Sequence, residues 1–309
     1  MSEFDWIDCY LRPLAKSPGA DGLRNDVGVL RPAGSPLIAT LDTLIEGVHF
    51  LSSDPLSTVA QKLLRVNISD ILCKGAVPRD ALLSIAMPQD FTEKDFASFC
   101  DGLATDLGQW NIALIGGDTV RTDGPLSLSL TLTGTCLTES VIQRSGARNG
   151  DTVYVTGKIG SGGLGLRDAR IGKESKHAAH YRVPDIPHLN IADLIAAFAT
   201  ASIDVSDGLI SDAGHIAYES KVRVQLDLGE VPFAEPVRDV EHAIAMSTSG
   251  DDYQTLFTAP AGDAHRLFAT ASTLGLRVTA IGTVVQGEGV KLSFDSQDVP
   301  LPARTGYRH

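Results

Sequence analysis

Leu126-Ser127-Leu128-Ser129-Leu130-Thr131-Leu132-Thr133, ending at Gly134, alternates apolar and hydroxyl side chains without a break. Successive strand residues point to opposite faces, so this period of two predicts a β-strand with one dry face and one wet face. Such a strand belongs to an antiparallel or mixed sheet covered on a single side.

Outward from it, the pattern keeps changing period. Leu37-Ile38-Ala39-Thr40-Leu41 and Val27 to Leu30 read as strands around a turn at Pro32 to Pro36, and Ala81 to Met87 and Ile112 to Ile115 as two more. Val59, Leu63, Val66 and Ile71 predict a buried helix over Ser57 to Leu72, and Phe96 to Leu107 reads as an amphipathic one. Phe4 to Leu14 carries a short helical pattern before a Gly/Pro/Asp stretch at Ser17 to Gly22. A polar, Gly-rich segment at Arg144 to Gly150 predicts a boundary, giving domains over 1–140 and 141–309. Beyond it, Thr152 to Thr156, Val222 to Leu228, Gln254 to Phe257 and Arg277 to Val285 read as strands. Ile191 to Phe198, Leu209 to Tyr218 and His265 to Leu274 read as helices. Strands and helices do not alternate strictly in either half, so the expected fold is α+β with two domains.

The acids are placed with more pattern than solubility requires. Asn25-Asp26, Asp42-Thr43, Ser69-Asp70, Gly116-Gly117-Asp118-Thr119, Asp204-Val205-Ser206-Asp207-Gly208 and Gly250-Asp251-Asp252-Tyr253 form short clusters, most of them after apolar runs that would leave the carboxylate at a strand end. Carboxylates gathered together repel unless cations intervene, and hard divalent ions such as Mg²⁺ take oxygen ligands. The pattern predicts a multi-metal site of the kind that handles polyphosphates.

Composition excludes several alternatives. The chain has 309 residues and a formal net charge of −12, which argues against a nucleic-acid binder. Cys9, Cys73, Cys100 and Cys136 are far apart and form no CxxC pair, which predicts reduced thiols in a cytoplasmic protein. The start, MSEFDWIDCY, lacks an apolar signal core, and no apolar stretch is long enough for a membrane helix.

Single motifs stay ambiguous. Gly157 to Gly165 fits a phosphate loop or a structural turn equally, and it is neither a Walker A loop nor a clean GxGxxG. The two glycines of Gly116-Gly117-Asp118-Thr119 let a backbone approach phosphate, with Asp118 holding the bridging cation; a tight turn with an Asp cap is the alternative. Ser206 or Asp207 reads either as an N-cap or as part of an anion site at a helix start. His49 has no second histidine at metal-ligand spacing. No Gly-x-Ser-x-Gly elbow is present.

Together, however, the blocks resemble the thiamine-monophosphate kinase family, in the superfamily that includes aminoimidazole ribonucleotide synthetase. The resemblance runs through Gly22 to Asp26, Asp42-Thr43-Leu44 with Gly47-Val48-His49-Phe50, Val66 to Asp70 and Leu114 to Thr119. It continues through Arg144-Ser145-Gly146, Asp204 to Ser211, Ser249 to Tyr253 and Gly306-Tyr307. It implies ATP-dependent phosphorylation of thiamine monophosphate, several Mg²⁺ ions, a two-domain α+β subunit and a homodimer paired through N-terminal sheets. It also implies metal positions at Asp26, Thr40, Leu41 (through its backbone carbonyl), Asp42, Asp70, Asp118, Asp204 and Asp207. Of these, Asp42, Asp70, Asp118 and Asp207 are expected to carry the catalysis. Gly117, Asp118, Arg144 and Ser206 match nucleotide positions, and His49, Asp251 and Tyr307 match thiamine positions. Three departures stand out: Asn25 replaces the usual first aspartate of an Asp-Asp pair, Leu41 replaces a Thr or small residue, and Ser161 replaces an Asp common in the glycine-rich run. Another ATP-using member of the superfamily, or a nucleotide-binding homologue without turnover, is the alternative.

Overall fold

The computed structural model describes residue 24, residues 28–30 and residues 36–307, so Asp26, Asn25 and the predicted helix at Phe4 to Leu14 lie outside the described residues. The chain folds into two sheets. The first has the order β1-β2-β5-β3-β4, with β1 Gly28–Leu30, β2 Leu37–Ile45, β3 Ala76–Pro88, β4 Ala113–Thr122 and β5 Ser127–Cys136. β5 lies at its centre, and its alternation is realised: Leu128, Leu130 and Leu132 are fully buried while Ser127, Ser129, Thr131 and Thr133 stay half-exposed.

Helix α1 (Leu56–Leu72) covers the leucine face, and α2 (Glu93–Trp110) packs on α1. α2 begins before the predicted Phe96 because Thr92 and Asp95 form a reciprocal capping box, each satisfying a backbone N–H of the other's turn. The two helices touch where α2 carries Gly102; any Cβ there would collide with the Ser57 carbonyl. The other face of the sheet has no helix against it among the described residues. It presents Leu41, Leu82 and Val120, and Leu114 nearby is also exposed.

The second sheet has the order β12-β11-β8-β10-β6-β9-β7, with β6 Asp151–Thr156, β7 Ala201–Asp204, β8 Arg223–Asp227, β9 Thr255–Pro260, β10 Val278–Val285, β11 Gly289–Phe294 and β12 Gln297–Val299. Its helices are α3 Ser161–Arg170, α4 Lys176–Arg182, α5 Ile191–Phe198, α6 Leu209–Ser220, α7 Val240–Ser247 and α8 Ala264–Thr273. One apolar cluster runs from Leu128 and Leu130 of the first sheet through α1 to Ile191, Ile195 and Phe257 of the second half. β7 packs against α1 and is tied to it by the Ser69–Asp204 hydrogen bond. Mixed sheets with helices on their faces make the α+β expectation correct.

Several element readings need correction. β4 does not stop at Gly116-Gly117-Asp118 but runs on to Thr122, because pairing with β3 continues as far as Pro88↔Thr122. Among the described acids of these clusters, only Asp204 ends a strand; Asp42 lies within β2 and Asp70 within α1. The glycine-rich run contains a helix start, since α3 begins at Ser161 after Gly160 at φ +93.

Candidate active site

The centre of the site is a junction of three elements. Thr40 and Asp42 lie two apart on β2, on the side facing α1, where neighbours Ile38 and Leu44 are buried. The Thr40 hydroxyl donates to Asp70 Oδ2 at 2.6 Å, which ties β2 to the last turns of α1. One residue earlier on that helix, Ser69 donates to Asp204 Oδ2 at 2.8 Å, which brings in the end of β7. Asp42, Asp70 and Asp204 thus converge from sequence positions more than 160 residues apart (204 − 42).

Their electrostatics are those of carboxylates taken out of water, with mutual repulsion added at Asp70 and Asp204. Burial pushes Asp42 up to about 6 and Asp204 up to about 6 from 3.8. Asp70 rises well above the usual carboxylate range, first through burial and then through the charges on Asp42 and Asp204. Asp42 Oδ2 is buried with no hydrogen-bond partner. Hard oxygen donors on three neighbouring elements, one of them a carboxylate oxygen unpartnered among the described residues, fit Mg²⁺.

This arrangement fixes a pH dependence. An acid whose pKa is raised by folding binds more protons in the native state than in the unfolded chain between the two values, so stability falls as pH rises. With chelator present, the stability contributed by Asp42 and Asp204 should be full below about pH 4 and lost as pH passes through 6, and Mg²⁺ should raise the melting temperature at pH 8. An Asp42→Asn variant that loses as much stability as wild type across that pH range in chelator would show that the Asp42 carboxylate does not contribute this dependence.

A second group flanks the first. The Asp204-to-Gly208 turn leads into α6, whose N-cap is Gly208 at φ +129; neither Ser206 nor Asp207 acts as a side-chain cap. The Gly208 N–H instead goes to buried Asp212 at 3.0 Å. Asp207, Asp212 and His215 offer ligand atoms that all lie within 4.8 Å of one another. Arg144 is set among Asp212, Asp204, Glu219 and Asp207, which oppose the downward pull of burial on its guanidinium. Tyr307 joins this group because its N–H donates to the Asp207 carbonyl at 2.8 Å, and because Gly306 packs so closely that a Cβ there would sit 2.6 Å from Ser211 Cβ.

His49 and Asp251 meet through a residue the sequence reading passed over. Lys62 on α1 is buried, and its ammonium donates to the His49 carbonyl at 3.0 Å and to Asp251 Oδ2 at 2.8 Å. It also sits 4.2 Å from the Tyr181 ring centroid. Asp251 is held at φ +59, with its N–H on the Ser206 carbonyl at 2.8 Å. The thiamine and nucleotide candidates are therefore backed onto one another.

The ambiguity of the glycine-rich run is resolved by its partner. Gly160 and Gly162 give their N–H groups to Asp252 at 2.7 and 3.0 Å. These donors hold a buried internal carboxylate, so this part of the run is a structural turn. Asp212 and Asp252 are both buried, and each accepts backbone N–H donation from a glycine turn.

Gly117, Asp118 and Leu41 are not brought to the array. Gly117 shares a cross-sheet row with Asp42 (Asp42↔Leu130, Leu130↔Leu83, Leu83↔Gly117) but stands three strand spacings away, about 14 Å. Asp118 pairs with exposed Ser84, on the face opposite Asp42, and Leu41 is 60% exposed on that same outer face. The alternation of β2 explains Leu41: if Thr40 and Asp42 point inward, Leu41 between them points outward.

The description AIR synthase related protein, N-terminal domain, matches residues 24–136, and its C-terminal counterpart matches residues 148–295. The thiamine-monophosphate kinase of Caulobacter vibrioides is 38% identical, with 100% of this chain and 91% of that protein covered. That of Escherichia coli is 34% identical over 93% of this chain and 91% of its own length. A solved structure of AaThiL complexed with AMPPCP and TMP superposes with a TM-score of 0.83 at 29% identity, covering 100% of this chain and 97% of its own. With two domain matches in order, full-length relatives and a shared fold, this chain belongs to the thiamine-monophosphate kinases of the AIR synthase related family.

Proposed function

We propose that the chain transfers the terminal phosphoryl group of ATP to thiamine monophosphate, giving thiamine diphosphate by in-line displacement with Mg²⁺ bound. The observation that carries this reading is the convergence of Asp42, Asp70 and Asp204, with the Asp42 Oδ2 left unpartnered among the described residues, in a member of this family. Thr40, Asp42, Asp70 and Asp204 would hold Mg²⁺, with Asp207 beside them and Asp26 supplied from outside the described residues. When bound, Mg²⁺ supplies positive charge between the anionic donor and acceptor.

Arg144 has the guanidinium to hold phosphate oxygens, and Ser206 lies on the Asp204-to-Gly208 turn whose acids act on it. His49 and Asp251, fixed by Lys62, form the thiamine wall, and Tyr307 gives it an aromatic face. No side chain need act as a strong base, because a phosphate oxygen is already a nucleophile. The apolar outer face of the first sheet suits pairing with a second copy, which would also enclose Leu41 and Asp118. No helix among the described residues is long and apolar enough to cross a membrane, which accords with a cytoplasmic setting.

The test is product formation from ATP and Mg²⁺, with thiamine monophosphate as acceptor and free thiamine as control. Thiamine diphosphate from the monophosphate alone is the expected result; no product, from protein that binds ATP, overturns the reading. Tyr307→Ala should raise the KM for thiamine monophosphate about ten-fold, the loss of one cation–π and stacking contact of about 1.4 kcal/mol, and leave the KM for ATP unchanged. Equal changes in both would detach Tyr307 from the acceptor.

A further inference from the structure

We infer that Lys74 is a built-in counter-cation of the carboxylate array, a positioning residue whose fixed charge holds Asp70 and Asp204 together and weakens the array's hold on divalent cations. The inference rests on the metal reading above, and its observations are separate from those that carry that reading.

Lys74 stands four residues after Asp70, in the turn that closes α1, so its side chain starts on the face that carries Asp70. From there it reaches β7, where its ammonium donates to the Ser202 carbonyl at 2.6 Å, two residues before Asp204. The residue is 1% exposed. It therefore spans the two acid-bearing elements without opening to any substrate.

An ammonium is costly to bury, so a lysine here requires a reason that a methionine or glutamine would not supply. The Ser202 carbonyl accepts a hydrogen bond but neutralises nothing. The nearby acids need that charge: Lys74 stands four residues after Asp70 and its ammonium is held two residues before Asp204, where it opposes the upward shift of both. In the metal-free protein Lys74 replaces part of the missing positive charge. In the metal-bound protein the same charge repels the incoming cation, so Lys74 sets how much Mg²⁺ the array requires.

The test uses thermal unfolding of the full chain, first in EDTA and then in a Mg²⁺ titration. Lys74→Met removes charge and donor, Lys74→Gln removes the charge but keeps a donor, and Lys74→Arg keeps the charge. In EDTA, Lys74→Met and Lys74→Gln should melt below wild type, and by less when Asp70→Asn is already present. In Mg²⁺, both should reach half of their stabilisation at concentrations on the order of ten-fold lower than wild type, with Lys74→Arg restoring the wild-type value. Strictly additive losses in EDTA, or one half-saturation value for all variants, would overturn the inference. A wild-type chain whose melting temperature ignores Mg²⁺ would instead sink the metal reading, and the EDTA cycle would still decide whether Lys74 balances the acids.

Discussion

Asp42→Asn is expected to lower kcat on the order of a hundred- to a thousand-fold, the usual loss when one group that stabilises transition-state charge is removed, while raising the melting temperature of the metal-free protein by a few degrees. The two effects have one cause. The Asp42 carboxylate lies beside Asp70 and Asp204, its buried Oδ2 has no partner among the described residues, and its ionised form is disfavoured there. An amide of the same shape removes the repulsion and also removes the charge that Mg²⁺ needs. Opposite signs separate a functional role from a folding defect, because a damaged fold loses both. Steady-state kinetics at limiting Mg²⁺ and melting in EDTA read the two quantities independently. Near wild-type turnover would remove Asp42 from the mechanism, and a lower metal-free melting temperature would mean that its carboxylate stabilises the fold through a contact of its own.

Lys62→Met is expected to cost about 3 kcal/mol of stability, the scale for stripping one partner from a buried ion pair, and to weaken binding of thiamine monophosphate more than of ATP. Lys62 is 2% exposed on its side chain, and its partner Asp251 is 33% exposed, so water softens the loss on one side only. The ammonium also closes a network that no neutral side chain can: the His49 carbonyl, the Asp251 carboxylate and the Tyr181 ring all face it. Methionine fills the volume but leaves the carbonyl and the carboxylate without their donor. The melting temperature should drop by roughly 5 °C, given an unfolding entropy of about 2.1 cal/mol/K per residue over 309 residues. The KM for thiamine monophosphate should rise with little change for ATP, because Asp251 and His49 lose their common anchor. A melting temperature within a degree of wild type would show that solvent replaces the pair at no cost.

These residues also mark how far the sequence reading reaches. Patterns local along the chain are legible without the fold. The alternation of Leu126 to Thr133 names a strand with one wet face, and the spacing of Val59, Leu63 and Val66 names a buried helix, because side-chain direction in a strand or helix follows from backbone period alone. The acid clusters are legible as chemistry for the same reason: Asp42, Asp70 and Asp204 stand beside hydroxyl-bearing Thr40, Ser69 and Ser206, and the blocks occur in a family order.

Convergence belongs to the tertiary structure. Nothing local says that Ser69 reaches Asp204 rather than solvent, or that Asp118, with as strong a motif, stands on the opposite face about three strands from Asp42. Lys62 and Lys74 look like ordinary surface lysines within a helical pattern, and burial between two halves of the chain turns them into charges that organise a site. The glycine-rich run shows the converse. Its sequence suggests a phosphate loop, and only the fold reveals that Asp252 already occupies its N–H groups. Local period thus named many of the elements, though not α3, α4, α7, β11 or β12, and family order gave the two-domain α+β class and the reaction class. Long-range packing decided which carboxylates face one another and which cations balance them, because the free energy of a buried charge depends on its neighbours in space.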